Sequence, residues 1–347
     1  MDRRAFLVRS GSAVAGIGLL ALDGGASDRR SRMTTIATAP KMTSLSLEES
    51  YINNAEFAGY YCAAKKGIFK KYGLDVDIIA AGASTDPRQS VASGASSLGI
   101  VSETSDMILG IGEGVPYKCF GAPFQQNPGC LLVLANSGIY SVKDLEGKTI
   151  GIQPNALQQI KGILAFNHVP LDKVTLTIVD DSPEPLVEGK IDAYTAYVFN
   201  EPISLAMQGI KTRCYSFSNI GLPGYGDCLI ATDHTLATQG ELLARFMRAS
   251  QEGWAYAIAN PTEAVAITLD DYPSGQVKQQ QELQMKAQLP MLENSYTRAN
   301  GLLWISTVVM QSALDAQFNS GSLKKRLTVG DVMTQEILDR AKSVSPV

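Results

Sequence analysis

Between residues 44 and 134 the apolar positions switch repeatedly between a period of two and a period of 3.6, the mark of strands alternating with helices. Leu45 and Leu47 alternate with serines and predict a short strand over 44–47. Residues 58–72 carry apolar side chains at helical spacing, with lysines gathered at the C-terminal end and Gly73 at the stop, both suited to a helix terminus. A strand over 76–80, a short helix over 86–94 and a buried strand over 98–101 follow. That strand opens into a polar loop, Ser102-Glu103-Thr104-Ser105-Asp106, before a helix over 107–113 and a strand over 117–123.

After an apolar run at 131–135 the alternation resumes. It predicts a helical turn at Asp144-Leu145, a strand over 149–152, a loop over 153–156, a helix over 157–167 and a strand over 174–179. Asp192-Ala193 reads as the end of a strand and Asn200-Glu201-Pro202 as the start of a helix. Residues 228–232 form a further apolar strand, and helices dominate beyond it, over 241–260, 261–269 and much of 277–347. The predicted fold class is α/β in two lobes, 44–134 plus 232–347 and 135–231. Two crossings, near Leu134 and near residues 229–232, make a two-strand hinge. Ligands of open α/β sheets bind beyond the carboxyl ends of the strands. Two such sets of ends facing each other give a cleft that closes by hinge motion.

The first 26 residues stand apart from this pattern. Arg3-Arg4 precede Phe6-Leu7, an apolar run fills 13–22, and Gly24-Gly25-Ala26 supply small residues, which together read as an export signal. The paired arginines resemble a twin-arginine signal, although Asp2 and Val8 replace the usual Ser and Lys; an ordinary secretory signal is the alternative. Residues 27–43, polar and without period, are expected to be a mobile lead-in. No cysteine precedes Cys62, so the exported chain is expected to be periplasmic and soluble rather than lipid-anchored. No later run is long and charge-free enough to span a bilayer.

Net charge is −4, and removal of the leader's three arginines and two aspartates makes it −5. That mild acidity, without a basic stripe, argues against nucleic acid and anionic membranes as partners. The cysteines, Cys62, Cys119, Cys130, Cys214 and Cys228, are odd in number and lack C-x-x-C spacing. They are expected as buried free thiols, with one disulfide as the alternative. With only His168 and His234 to add, no metal site is expected.

Residues 54–76, N-A-E-F-A-G-Y-Y-C-A-A-K-K-G-I-F-K-K-Y-G-L-D-V, resemble the first βαβ unit of periplasmic solute-binding proteins, in the branch of thiamine-pyrimidine-precursor binders. Residues 139–151 match that family's I-x-S-x-x-D-L-x-G-K-x-I-G phrase, and Gln125-Gln126-Asn127 its Q-x-N-P stretch. The resemblance implies the two-lobed periplasmic binding protein fold (type II), no catalytic residue and no cofactor. It also implies a monomer that meets the permease and ATPase subunits of an ABC importer. The implied cargo is a flat nitrogen heterocycle, a thiamine pyrimidine precursor or a riboflavin-like ring. Neighbouring branches bind alkylsulfonates, taurine and nitrate, and eukaryotic relatives include a pyrimidine-making enzyme. That enzyme's cysteine-rich stretch is absent here, and neither His168 nor His234 lies in a motif.

The candidate ligand-binding residues sit where strands are predicted to end. Tyr51, Asn53, Asn54 and Glu56 occupy the first strand–helix loop, offering an aromatic face, amides and a carboxylate; Asn54 also suits a helix cap, and Phe57 the core. Ser102, Glu103 and Thr104 lie in the third strand's exit loop, Gln125 and Gln126 before the crossing, and Asn155 in the 153–156 loop. In the second lobe Tyr194, Tyr197, Asn200 and Glu201 form a D-A…N-E-P arrangement that in the resembling family presents a carboxylate and an aromatic ring to the cleft. Glu201 also suits the helix N-terminus that it opens. Tyr225 and Asp227 complete the set on the return loop. These loops carry acids and no Arg or Lys, which disfavours an anionic ligand.

Overall fold

The computed structural model describes residues 42–81, 86–153 and 156–347. The leader, nearly all of the lead-in and Asn155 lie outside the described residues. Among the described residues ten strands form two five-stranded sheets. The first contains β1 (Thr43–Glu48), β2 (Leu74–Ile79), β3 (Leu98–Glu103) and β4 (Tyr117–Gly121). The second contains β5 (Gly129–Leu134), β6 (Thr149–Ile152), β7 (Thr175–Ile178), β8 (Ala193–Tyr197) and β9 (Thr212–Ser216). The last strand, β10 (Gly226–Thr232), returns to the first sheet.

The orders are β2-β1-β3-β10-β4 and β7-β6-β8-β5-β9. β1 is parallel to β2 and β3, and β6 is parallel to β7 and β8. The fourth strand of each sheet, β10 or β5, is antiparallel to both neighbours. Each is the strand on which the chain arrives from the other lobe, so arrival by crossing reverses its direction relative to the βαβ units.

This pairing moves the crossings relative to expectation. β5 belongs wholly to the second sheet and β10 to the first, so the chain changes lobe within 122–128 and 217–225, not near Leu134 and residues 229–232. The two segments meet where the Gly226 N–H donates to the Phe124 carbonyl at 3.2 Å, as an isolated antiparallel bridge. Asn127 ties them further: its side-chain N–H groups reach the Leu222 carbonyl at 3.2 Å and the Glu103 carboxylate at 3.1 Å.

Other boundaries shift for local reasons. The expected 58–72 helix is a 3-10 turn (Ala55–Phe57) followed by helices Ala58–Lys65 and Ile68–Lys71. Gly67 breaks it by taking a left-handed φ of 68°, a conformation open to glycine without steric cost. The polar stretch after β3 is not a loop: β3 runs through Glu103 and a helix begins at Thr104 (Thr104–Gly112). Asp192-Ala193 opens β8 rather than ending a strand, with Asp192 accepting from the Thr149 N–H at 2.9 Å. Asp227 is not in a loop either but inside β10, whereas Tyr225 sits on the return loop immediately before it. β9 was not expected at all.

The main hydrophobic core lies in the first lobe, and it takes in the C-terminal helices through Ile337, Leu338 and Ala341. There the helix Ala58–Lys65 packs on the long helix Gly240–Ala259, Trp254 meeting Tyr60 edge-on at 5.7 Å. The second lobe has two smaller clusters, one on each face of its sheet. All five cysteines are free thiols, and Cys214 is exposed, unlike the expected burial of the set. Among the described residues no helix is long and apolar enough to cross a membrane.

Candidate functional site

A cleft with about 530 Å³ of empty space, part of it continuous with solvent, lies between the lobes. It is built at carboxyl ends of strands from both sheets. The first lobe gives Ser50, Tyr51 and Glu56 after β1, and Ser102 and Glu103 on β3. The second gives Gln153 after β6, Ala156 and Gln159 around the next helix, Thr195 to Tyr197 on β8, then Asn200, Glu201 and Phe217.

Local sequence fixes the key side chains. Asn54 accepts from the Glu56 N–H at 2.7 Å and so caps the 3-10 turn that carries Glu56. Three fully buried glutamines on the helix Lys278–Leu292 hold that turn from behind. Gln281 accepts from the Ala55 N–H at 2.7 Å, Gln284 donates to the Asn54 side chain at 2.9 Å, and Gln288 donates to the Ala55 carbonyl at 2.6 Å. An orphaned buried polar group costs about 1–3 kcal/mol. Gln288→Leu, which strands the Ala55 carbonyl, should therefore lower unfolding free energy by about 2 kcal/mol in urea titrations.

Glu201 opens the helix Glu201–Met207. It accepts from the Tyr197 N–H at 2.9 Å and from the Asn200 amide at 3.4 Å. Tyr197 reaches across to donate its hydroxyl to the Ser102 carbonyl at 2.7 Å. Two further hydrogen bonds span the lobes: Gln159 donates to the Asp106 carboxylate at 2.8 Å, and Gln280 donates to the Asn200 side-chain oxygen at 3.1 Å. The lobes are thus latched on both sides of the cavity.

The electrostatics are one-sided. Burial pushes the Glu56 carboxyl up to about 8, and Glu201 across the cleft adds to it. Burial, with Asp106 beside it, also raises Glu103 to about 8. Burial lifts Asp106 to about 7 against the pull of Arg88, and Glu201 to about 7 against its backbone hydrogen bonds. Among the described residues no Lys or Arg lines the cavity. Such a wall accepts hydrogen bonds and favours a ligand edge that donates them.

The predicted residues divide cleanly. Tyr51, Glu56, Ser102, Glu103, Tyr197, Asn200 and Glu201 line the cavity. Asn54 caps and Asn53 accepts from the Tyr61 hydroxyl at 3.1 Å, so both act behind the wall. Thr104 is buried against the Tyr225 backbone, and the Tyr225 hydroxyl accepts from the Ser306 N–H. Gln125 is spent on the Ala122 carbonyl, Gln126 is exposed, and Tyr194 donates to the Asp180 carbonyl. Asp227 is wholly buried beside Glu56. Ser50, Gln153, Gln159, Thr195 and Phe217 were not anticipated. The loop predicted over 153–156 was the sequence signal that pointed toward Gln153.

Comparison with known proteins agrees with this architecture. The family model described as NMT1/THI5 like matches residues 54–264. The riboflavin-binding protein of Chloroflexus aurantiacus is 28% identical over 322 residues, covering 86% of this chain and 87% of the relative. The formylaminopyrimidine-binding protein of Halalkalibacterium halodurans is 28% identical over 245 residues, covering 69% and 74%. The periplasmic aliphatic sulphonate-binding protein of Escherichia coli superposes with a TM-score of 0.61 at 16% identity, over 84% of this chain and 92% of that one. The periplasmic nitrate-binding protein of Synechocystis gives 0.65 at 12%, over 88% and 89%. These likenesses establish the two-lobed periplasmic binding protein fold, and the match over more than half of the sequence places the chain in the NMT1/THI5-like family.

Proposed function

We propose that this protein is an extracytoplasmic solute-binding protein that delivers a small heteroaromatic molecule, a thiamine pyrimidine precursor or a riboflavin-like ring, to an ABC importer. The observation that carries the reading is an acid-lined interlobe cleft without a cation, flanked by the rings of Tyr51 and Tyr197. A carboxylate at Glu201 can accept two hydrogen bonds from an amino-substituted ring edge, and the tyrosines supply faces for stacking. Sulfonate or nitrate would meet carboxyl groups where an anion needs N–H donors or a positive side chain. The protein acts by binding and release, exported to the periplasm by its leader, with no reaction of its own.

A thermal-shift panel of an aminopyrimidine, riboflavin, an alkanesulfonate and nitrate tests this. Ligand at 100 times its dissociation constant adds about 2.7 kcal/mol to stability. The heterocycles should raise the melting temperature, and stabilisation by the anions alone would overturn the proposal. Glu201→Gln should weaken heterocycle binding tenfold or more, about 1.5–3 kcal/mol for a charge-assisted hydrogen bond, read by calorimetric titration.

A further inference from the structure

Behind the cavity wall, the Glu56 carboxyl faces that of Asp227 within hydrogen-bonding reach. Glu56 is 2% exposed and Asp227 not at all. Asp227 Oδ1 accepts from the Ser50 hydroxyl at 3.4 Å, but its Oδ2 has no donor. Asp227 also holds a φ of 55° inside β10, a backbone conformation that persists only where the surroundings impose it. The ionisable groups facing the pair come from every neighbouring element. They are Glu49 and Tyr51 after β1, Tyr60 and Tyr61 on the helix Ala58–Lys65, Tyr197 and Glu201 of the second lobe, and Cys228 on β10. Among the described residues all are acids, phenols or a thiol, and none is a cation.

Two buried carboxyls in contact without a counter-charge cannot both ionise. A proton on one of them is also the donor that the Asp227 Oδ2 lacks. We infer that Asp227 is a positioning residue that holds a proton against Glu56, making ligand capture at the cleft floor proton-linked. In the empty cleft both carboxyls are protonated. A ligand presenting an N–H edge requires an ionised Glu56, which keeps the Asp227 O–H as its second donor. The proton leaving Glu56 goes to solvent when the ligand arrives as a cation, or onto a basic ring nitrogen when it arrives neutral. This step rests on the cleft being the solute site, whereas the proton pairing itself does not.

Carbon NMR of side-chain carboxyls in the full, ligand-free chain, titrated between pH 5 and 9, decides the pairing. Among the signals that titrate above the ordinary carboxyl range, one should vanish in Glu56→Gln and another in Asp227→Asn. Asparagine tolerates the left-handed backbone and donates a fixed N–H in place of the Asp227 O–H, so Asp227→Asn should leave the Glu56 midpoint within about half a pH unit, whereas Asp227→Ala, which removes the donor, should raise it by about one pH unit or more. Ser50→Ala, which leaves both carboxyls in place, should raise the Asp227 midpoint. A Glu56 midpoint that does not rise in Asp227→Ala overturns the inference, whatever binds. Binding of 4-amino-5-hydroxymethyl-2-methylpyrimidine should vary with pH between 6 and 8 in the unaltered protein, with the dependence displaced to higher pH in Asp227→Ala. If that probe fails to bind while the carboxyl titrations behave as described, the solute reading falls and the proton pair stands.

Discussion

Gly253→Ala should destabilise the protein by about 3 kcal/mol, the upper end of what overpacking a close contact costs. A Cβ at this position would lie 2.3 Å from the Gly59 carbonyl oxygen and 2.6 Å from the Ala63 Cβ. The obstruction is backbone on the facing helix, which no rotamer change relieves, so the two helices must separate. Gly59→Ala should act the same way from the other side, since its Cβ would sit 2.1 Å from the Trp254 ring. A domain holds only about 5–15 kcal/mol in total, so either change takes a large share. Gly240→Ala is the control: it lies on the same long helix, and its nearest neighbour is the end of the Arg340 side chain at 3.4 Å. Urea unfolding should show Gly240→Ala within about 0.5 kcal/mol of the unaltered protein. A Gly253→Ala variant as stable as that control would mean that the helices pack less closely than described. Because the helix Ala58–Lys65 follows directly from the turn bearing Glu56, this variant should also lose ligand affinity at temperatures where it remains folded.

That contact shows what the sequence could and could not disclose. The alternation of strand and helix periods, Gly73 at its stop and the D-A…N-E-P run were all legible, and they lead to the two-lobed architecture and to Glu201 at the cavity. The lobe boundaries were not. Residues 129–134 and 226–232 are apolar runs of the same kind, and only their pairing partners decide which sheet each one joins. Gln159 reads as an ordinary polar position on an amphipathic helix, because its burial comes from Asp106, 53 residues away, in the other lobe. Gln281, Gln284 and Gln288 share a helical face that looks solvated in the sequence, yet they are among the most buried polar residues of the protein. Burial of polar groups by long-range hydrogen bonds leaves no local periodicity to detect.

The ligand-free protein should lose stability steadily as pH rises from about 5 to about 8, opposite to the trend of a fold held by paired carboxylates. Glu56 and Glu103 are raised to about 8, and Asp106 and Glu201 to about 7, all chiefly by burial. In the unfolded chain the same groups ionise near 4. Folding therefore binds protons across this window: the stabilisation is complete below the unfolded value and disappears as pH passes the folded one. Each such group adds a slope of up to about 1.4 kcal/mol per pH unit. The carboxyls shifted the other way, Asp144, Asp331, Glu252 and Glu263, lose their contribution only as pH falls below the ordinary carboxylate range, so they leave the window between 5 and 8 to the cleft. Urea midpoints at pH 5, 6, 7 and 8 should fall in order, and Glu103→Gln should flatten the fall. A level or rising series would show that the cleft acids are already ionised and paired, removing the basis for a donor-seeking wall. The cost of ionising that wall in the empty protein is what a hydrogen-bond-donating guest relieves. Stabilisation by a bound aminopyrimidine should accordingly be larger at pH 8 than at pH 5, and an anionic guest should show the reverse order.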